Sequence, residues 1–242
     1  MFNLCQVDPD PSSQYHYTPR KTNLGGYGGK YESVAVDNDT DPNKPLFFIT
    51  EDLEDGALRR FQANGKGWNS LHNGWGSTKY LNFLDWSRFE WTSNEHKGRQ
   101  SAEWYYPNAE GISYHDGYLY FVSKVNQMLF ILDLDNMTYK RETTGGPNLS
   151  GRGSFNAQPD QIVFGEKKRY MYFTEDGGST PGVFVRDGDG TYYTVFQAIS
   201  DEYDGDETVG IALTPDRMKL YAGIQDAGVL FEFTRDDGRP FE

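Results

Sequence analysis

Cysteine is nearly absent from this chain. Cys5 is the only one in 242 residues, so no disulfide can form within the chain and no multi-cysteine zinc site can be assembled. Histidine is scarce as well: His16, His72, His96 and His115 show neither metal-ligand spacing nor a common place in any repeat. No stretch approaches the roughly 20 apolar residues that a membrane helix needs. The first fourteen residues carry no basic segment followed by an apolar run, so no signal peptide is visible. Positive charge is also in short supply, with 23 Lys and Arg against 36 Asp and Glu and a net charge of −13. Such a field repels nucleic acid and anionic lipid surfaces and attracts cations. Hydrophobic residues make up only 36%, but charges of both signs are interspersed along the chain, so the polarity does not imply disorder.

Aromatic residues are abundant, at 16% with 17 Tyr and 16 Phe. They supply apolar area and favour strands. They also recur in a pattern. Four segments share one plan: an acid followed by a short apolar run, a turn, a run of the Leu-Tyr-Phe type, then a second short apolar run. The acids that open them are Glu32, Glu110, Asp160 and Glu207, separated by 78, 50 and 47 residues. Propeller blades repeat at about 40–50 residues, so the pattern predicts an all-β fold, a β-propeller with about four blades in the sequence. The long first interval implies an insertion in the first blade at about residues 65–105. All five tryptophans, Trp68, Trp75, Trp86, Trp91 and Trp104, lie within it. A Trp cluster under such an excursion is expected to form a satellite core rather than a sugar site. Residues 94–105 read as the only helix, capped by Ser93 or Asn94. Asp116-Gly117, Asp187-Gly188-Asp189-Gly190 and Asp237-Gly238 read as hairpin turns.

The residues from Phe2 to Pro9 read as the third strand of a blade with no first or second strand before it. The chain is therefore expected to begin within a blade, with the ring closed by another segment or by an upstream extension, because a propeller must close to hide its sheet edges.

Blades are related by rotation about one axis, so equivalent acids on innermost strands converge there. Glu32, Glu110, Asp160 and Glu207 are accordingly expected to ring the channel mouth. Carboxylates at close quarters repel one another, and a hard cation with oxygen ligands, calcium above all, compensates them. Each acid could equally accept backbone hydrogen bonds at a strand start. A second set, Thr50-Glu51-Asp52 and Thr174-Glu175-Asp176, follows the second strand of its blade and offers further ligands, or simply solubility. Three look-alikes fail. Asp37-Asn38-Asp39-Thr40-Asp41 resembles a calcium loop, but Pro42 stands at the glycine position. Gly25-Gly26-Tyr27-Gly28-Gly29-Lys30 precedes a strand rather than the helix a phosphate loop requires. No Gly-x-Ser-x-Gly elbow is present.

Several stretches resemble the PhoX-type alkaline phosphatases, in particular their algal-type eukaryotic relatives. They are Gly28-Gly29-Lys30-Tyr31-Glu32-Ser33, Phe48-Ile49-Thr50-Glu51-Asp52, Tyr106-Pro107-Asn108-Ala109-Glu110-Gly111, Phe121-Val122-Ser123-Lys124, Gln158-Pro159-Asp160-Gln161 and Phe173-Thr174-Glu175-Asp176-Gly177-Gly178, with Asp206-Glu207-Thr208 and Gln225-Asp226 further on. The resemblance covers nearly the whole chain. It implies a six-bladed propeller whose axis holds calcium and iron, and hydrolysis of a small phosphate monoester with the nucleophile supplied by the metal centre rather than by serine. It implies Glu32, Glu110 and Asp160 as metal ligands, with Glu175 or else Asp176 as another. Glu207 joins them through the repeat alone. Asn108 and Lys124 become the substrate-contacting positions, and an extracellular or organelle-lumenal location is favoured.

Two departures follow from the same resemblance. Many family members carry an arginine where Asn108 stands, and a neutral amide cannot supply the same bidentate grip on phosphate. The family's iron-binding cysteine lies in a Cys-Glu-Glu motif upstream; Cys5 is followed by Gln6-Val7 and does not match it, so iron is not expected from this chain. These departures motivate an alternative: a non-catalytic propeller that acts as a binding or scaffold subunit and takes a protein partner.

Overall fold

The computed structural model describes residues 5–8, 10–22, 24, 30–65, 71, 76–145, 155, 157–165 and 170–241. It divides into two compact units, residues 1–109 and 110–242, and both are built of antiparallel sheets in which consecutive strands pair.

The first unit opens with a two-stranded ladder of β1 (Cys5–Gln6) and β2 (Arg20–Lys21). The segment expected to serve as a third blade strand pairs antiparallel with the strand that follows it; Phe2, Asn3, Leu4 and Pro9 lie outside the described residues. A five-stranded sheet follows in chain order: β3 (Tyr31–Asp37), β4 (Leu46–Glu51), β5 (Arg59–Ala63), β6 (Gly76–Phe83) and β7 (Phe89–Thr92). Helix α1 (Glu95–Tyr105) starts at Asn94, whose side-chain oxygen accepts the Lys97 amide. It packs on β6 through Gly98, where a Cβ would stand 2.5 Å from that of Tyr80. Strand β6 is the fourth strand of its sheet, so the part of the expected insertion without a counterpart in a four-stranded blade is β7 and α1.

The satellite-core expectation for the tryptophans holds for one residue. Trp91 packs against Phe48 and Phe89. Trp86 and Trp104 are 69% and 80% exposed, because Trp86 sits on the β6–β7 turn and Trp104 on the outer face of α1. Trp68 and Trp75 lie outside the described residues.

The second unit holds three sheets, again in chain order. The strands are β8 (Ala109–His115), β9 (Tyr118–Ser123), β10 (Met128–Asp133) and β11 (Thr138–Thr143); β12 (Gln158–Gly165), β13 (Tyr170–Asp176), β14 (Gly182–Arg186) and β15 (Tyr192–Gln197); and β16 (Thr208–Leu213), β17 (Leu220–Ile224) and β18 (Val229–Phe233). The Asp116-Gly117 turn joins β8 to β9 with both residues at positive φ, 49° and 79°, as a tight hairpin requires. The sheets pack face to face through Val122, Leu129, Phe155, Phe173, Phe184 and Tyr192, all buried, and through Tyr172, Val183, Leu220 and Ala222. Alternating apolar residues on successive strands thus make a core between sheets, as the aromatic repeats imply. The fold is all-β and β-propeller-like, a succession of blade-like meanders. No helix among the described residues is long and apolar enough to cross a membrane.

One irregularity recurs. The register of β3 with β4 runs Tyr31↔Glu51 and then Val34↔Ile49. That of β12 with β13 runs Pro159↔Glu175 and then Ile162↔Phe173, and that of β16 with β17 runs Val209↔Gly223 and then Ala212↔Tyr221. In each, the first strand carries one extra residue, a β-bulge that re-aims the side chains at that point. The bulge frees a backbone amide, and a threonine on the neighbouring strand takes it: Thr50 Oγ1 accepts Ser33 N at 3.1 Å, and Thr174 Oγ1 accepts Gln161 N at 2.8 Å.

Candidate functional site

The bulges decide which acids are equivalent. Glu32 follows Tyr31 and Asp160 follows Pro159, so these two occupy the same bulge position in their own sheets. In the fourth sheet that position, after Val209, is Gly210, with a φ of 63°. Glu207 lies three residues earlier, ahead of β16. The fourfold acid repeat of the sequence is therefore not a fourfold structural repeat, and Glu207 stands at a different point of its blade.

Within the second unit, Glu110 and Asp160 come together on the inner strands β8 and β12. A carboxylate oxygen of one lies within 4.8 Å of a carboxylate oxygen of the other, and both residues are buried. Gly111 permits this. A Cβ there would meet Asp160 O and Ile162 N at 2.5 Å, so only glycine lets the two backbones approach. Asp160 is further held by Thr174, whose hydroxyl donates to Oδ2 at 3.1 Å.

Lys124, just past β9, closes the group. Its Nζ lies 3.0 Å from Glu110 Oε1 and 2.9 Å from Asp176 Oδ2. Burial opposes the charge of this amine, but hydrogen bonds and the charges of Asp176 and Glu110 outweigh it and hold the ammonium above the usual lysine range. Glu207 reaches the same group. Burial, then the neighbouring Asp176 and Asp160, push its carboxyl up to about 7, against the pull of Lys124. Its loop is fixed by buried Asp206, which accepts the amides of Glu207, Asp226 and Ala227.

Glu175 takes another course. It is fully buried and accepts the Ala157 amide through Oε1 at 2.6 Å. Strand β13 sends Thr174 and Asp176 to one face and Glu175 to the other, so Asp176 is the acid of that tripeptide that meets Lys124. Alternation along β13 was the signal in the sequence that distinguishes them.

Glu32 and Asn108 belong to the first unit. Asn108, at a φ of 52°, donates its side-chain amide to Asp52 Oδ1 at 2.7 Å. Glu51, the register equivalent of Glu175, accepts Arg59 Nη2 at 2.7 Å, with both side chains buried. Arg59 Nη1 also donates to Tyr31 Oη at 2.8 Å. Burial raises the Glu51 carboxyl above its ordinary range while Arg59 draws it back. The calcium-loop look-alike is a turn: Asp37 accepts the amides of Asp39 and Thr40. A cavity of about 300 Å³ between the second and third sheets, lined by Tyr118, Tyr120, Phe164, Lys140 and the Arg186–Glu142 pair, contains none of the candidate metal or substrate residues.

The donors of the Glu110 group are carboxylate oxygens. That set fits a hard cation such as calcium and offers nothing to a soft metal. Cys5, the one thiol, is exposed on β1 in the first unit.

The fold and this acid group together define a β-propeller-like protein with a carboxylate cluster on its inner strands. Among solved structures, the chain is similar to PhoX of Pseudomonas fluorescens, determined in complex with vanadate, a transition state analogue, with a TM-score of 0.73, 17% identity and coverage of 98% of this chain and 58% of PhoX. It is also similar to a chain of a nidogen/laminin complex, with a TM-score of 0.52, 10% identity and coverage of 98% and 92%. These likenesses show a shared fold, and the chain spans a little under three fifths of the PhoX chain it matches. No protein-family model and no curated protein sequence matches the chain.

Proposed function

We propose that the protein is a cation-dependent phosphomonoesterase that holds calcium on the Glu110–Asp160 carboxylates. The observation that carries this reading is the convergence of two buried carboxylates across a contact that only Gly111 allows. Glu32, which occupies the same bulge position in the first unit as Asp160 does in the second, is assigned the same role. A bound hard cation supplies Lewis-acid polarisation of a phosphate oxygen. The residues themselves do the rest. Thr174 orients Asp160, Gly111 keeps Glu110 beside it, and the Lys124 amine offers a positive charge to a phosphate oxygen. Glu207, with its carboxyl near neutrality, tunes the charge of the group. The PhoX-like fold supports this reading, as does the resemblance of several stretches to the PhoX-type alkaline phosphatases.

Calcium titration by calorimetry, combined with hydrolysis of p-nitrophenyl phosphate, tests it. The intact chain is expected to bind calcium and to release nitrophenol, and both signals are expected to vanish in Glu110→Gln. Binding without hydrolysis leaves a calcium-binding scaffold. Neither binding nor hydrolysis overturns the proposal. The scaffold reading has its own support in Asn108, whose amide is already engaged by Asp52 rather than held out for an anion.

A further inference from the structure

We propose that Lys124, held in place by Asp176, is a tethered counter-ion that competes with the divalent cation for Glu110, so that cation binding and release of the Lys124 amine are one event. This rests on the cation reading above and adds its regulation.

The geometry carries it. One ammonium stands 3.0 Å from a Glu110 oxygen and 2.9 Å from an Asp176 oxygen, which places its positive charge against the carboxylate that a cation bound by Glu110 would need. A protonated amine has no lone pair to offer a metal, and two positive centres on one carboxylate repel. The two therefore exclude each other. Without the lysine, Glu110, only 2% exposed, would be a buried charge beside Asp160, an arrangement that costs stability. Lys124 neutralises part of that charge and keeps the empty-handed fold intact.

It is also built to leave. It sits where β9 ends and the turn to β10 begins, with its carbonyl accepting the Gln127 amide, so the backbone stays anchored while the side chain moves. That side chain is 23% exposed, and its four-carbon stem is flexible. Once displaced, the amine is available to an anion. Inorganic phosphate is accordingly expected to bind the calcium-loaded protein and not the calcium-free one.

Calorimetry with calcium chloride on the EDTA-stripped, intact chain tests the competition. Lys124→Met is expected to bind calcium roughly tenfold more tightly or better, since the ammonium no longer opposes the ion at Glu110. Lys124→Arg, which keeps the charge, is expected to stay near wild type. An unchanged or weaker affinity in Lys124→Met overturns the inference while the cation site stands. Absence of calcium binding in wild type removes both. Should Lys124→Met fail to fold, acylation footprinting of the wild type by mass spectrometry decides. Lys124 is expected to react several-fold faster when calcium is added, and an unchanged rate overturns the competition.

Discussion

The tripeptide Thr-Glu-Asp occurs at residues 50–52 and again at 174–176, in register-equivalent places of two sheets, with different outcomes. In both, the threonine hydroxyl takes the amide freed by the bulge, and the glutamate turns into the interior. In the first unit the glutamate is neutralised within its own sheet by Arg59, and the following Asp52 meets the neutral amide of Asn108. In the second, Glu175 meets a backbone amide, and Asp176 meets the lysine that also holds Glu110. The Arg59–Glu51 pair is sealed, with side chains 4% and 1% exposed, whereas Lys124 is 23% exposed. A sealed pair serves structure; a partly open lysine among converging carboxylates can be exchanged. The same local sequence thus serves two ends because its partners come from elsewhere in the chain.

The comparison is broken most forcefully at Arg59. Arg59→Met leaves Glu51 buried and uncompensated, and is expected to lower stability by about 3–5 kcal/mol, read as a shift of the urea midpoint. Restoring neutrality with Glu51→Gln in the same chain should recover a large part of that loss. A shift under about 1 kcal/mol would mean that the pair is not sealed.

The threonines sharpen the comparison further. Thr174→Val removes an acceptor for Gln161 N and a donor to the Asp160 carboxylate, and is expected to cost about 1.5–3 kcal/mol as a bond to a charged group. Thr50→Val removes an acceptor for Ser33 N and a weak 3.4 Å donation to a carbonyl, and is expected to cost about 1 kcal/mol. Only Thr174→Val should also weaken calcium binding; equal effects of the two would erase the distinction between the sheets.

The smallest effect is the pH dependence of Glu207. Its carboxyl is raised from 4.5 to about 7 in the folded chain, chiefly by burial and then by Asp176. The folded state therefore holds a proton that the unfolded state has lost. Its contribution to stability is present below the unfolded value and is lost as pH rises through the folded one. In EDTA, the melting temperature is expected to decline between about pH 4.5 and pH 7, and Glu207→Gln should flatten that decline. A wild-type profile that rises over this window would show that Glu207 is not held protonated.

Much of this was legible in the sequence. The aromatic repeats gave the meanders, Asp116-Gly117 gave a hairpin turn, and Asn94 gave a helix cap, because turns, caps and alternation are local properties of the chain. Glu110 and Asp160 are legible as acids at equivalent strand starts, and the fold brings their carboxylates close together. The assignments that shifted depend on register. At the bulge of the fourth sheet stands Gly210, and Glu207 reaches the group from ahead of β16 instead. Strict alternation on β13 turns Glu175 away from Lys124 and Asp176 toward it.

The sequence by itself determined the all-β class, the blade-like repeat, the acidity that favours a cation, and the carboxylates on the first strands of the second and third sheets. Only the tertiary structure decided which charges meet. Lys124 lies 14 residues from Glu110 and 52 from Asp176 along the chain, and nothing local to any of them specifies the others. Their meeting depends on packing between sheets, and at Gly111 that packing is set by a backbone contact too close for any side chain. Contacts of that kind are fixed by the whole fold at once, which is why the ring of acids that opened as a repeat resolves into a lysine-bridged cluster.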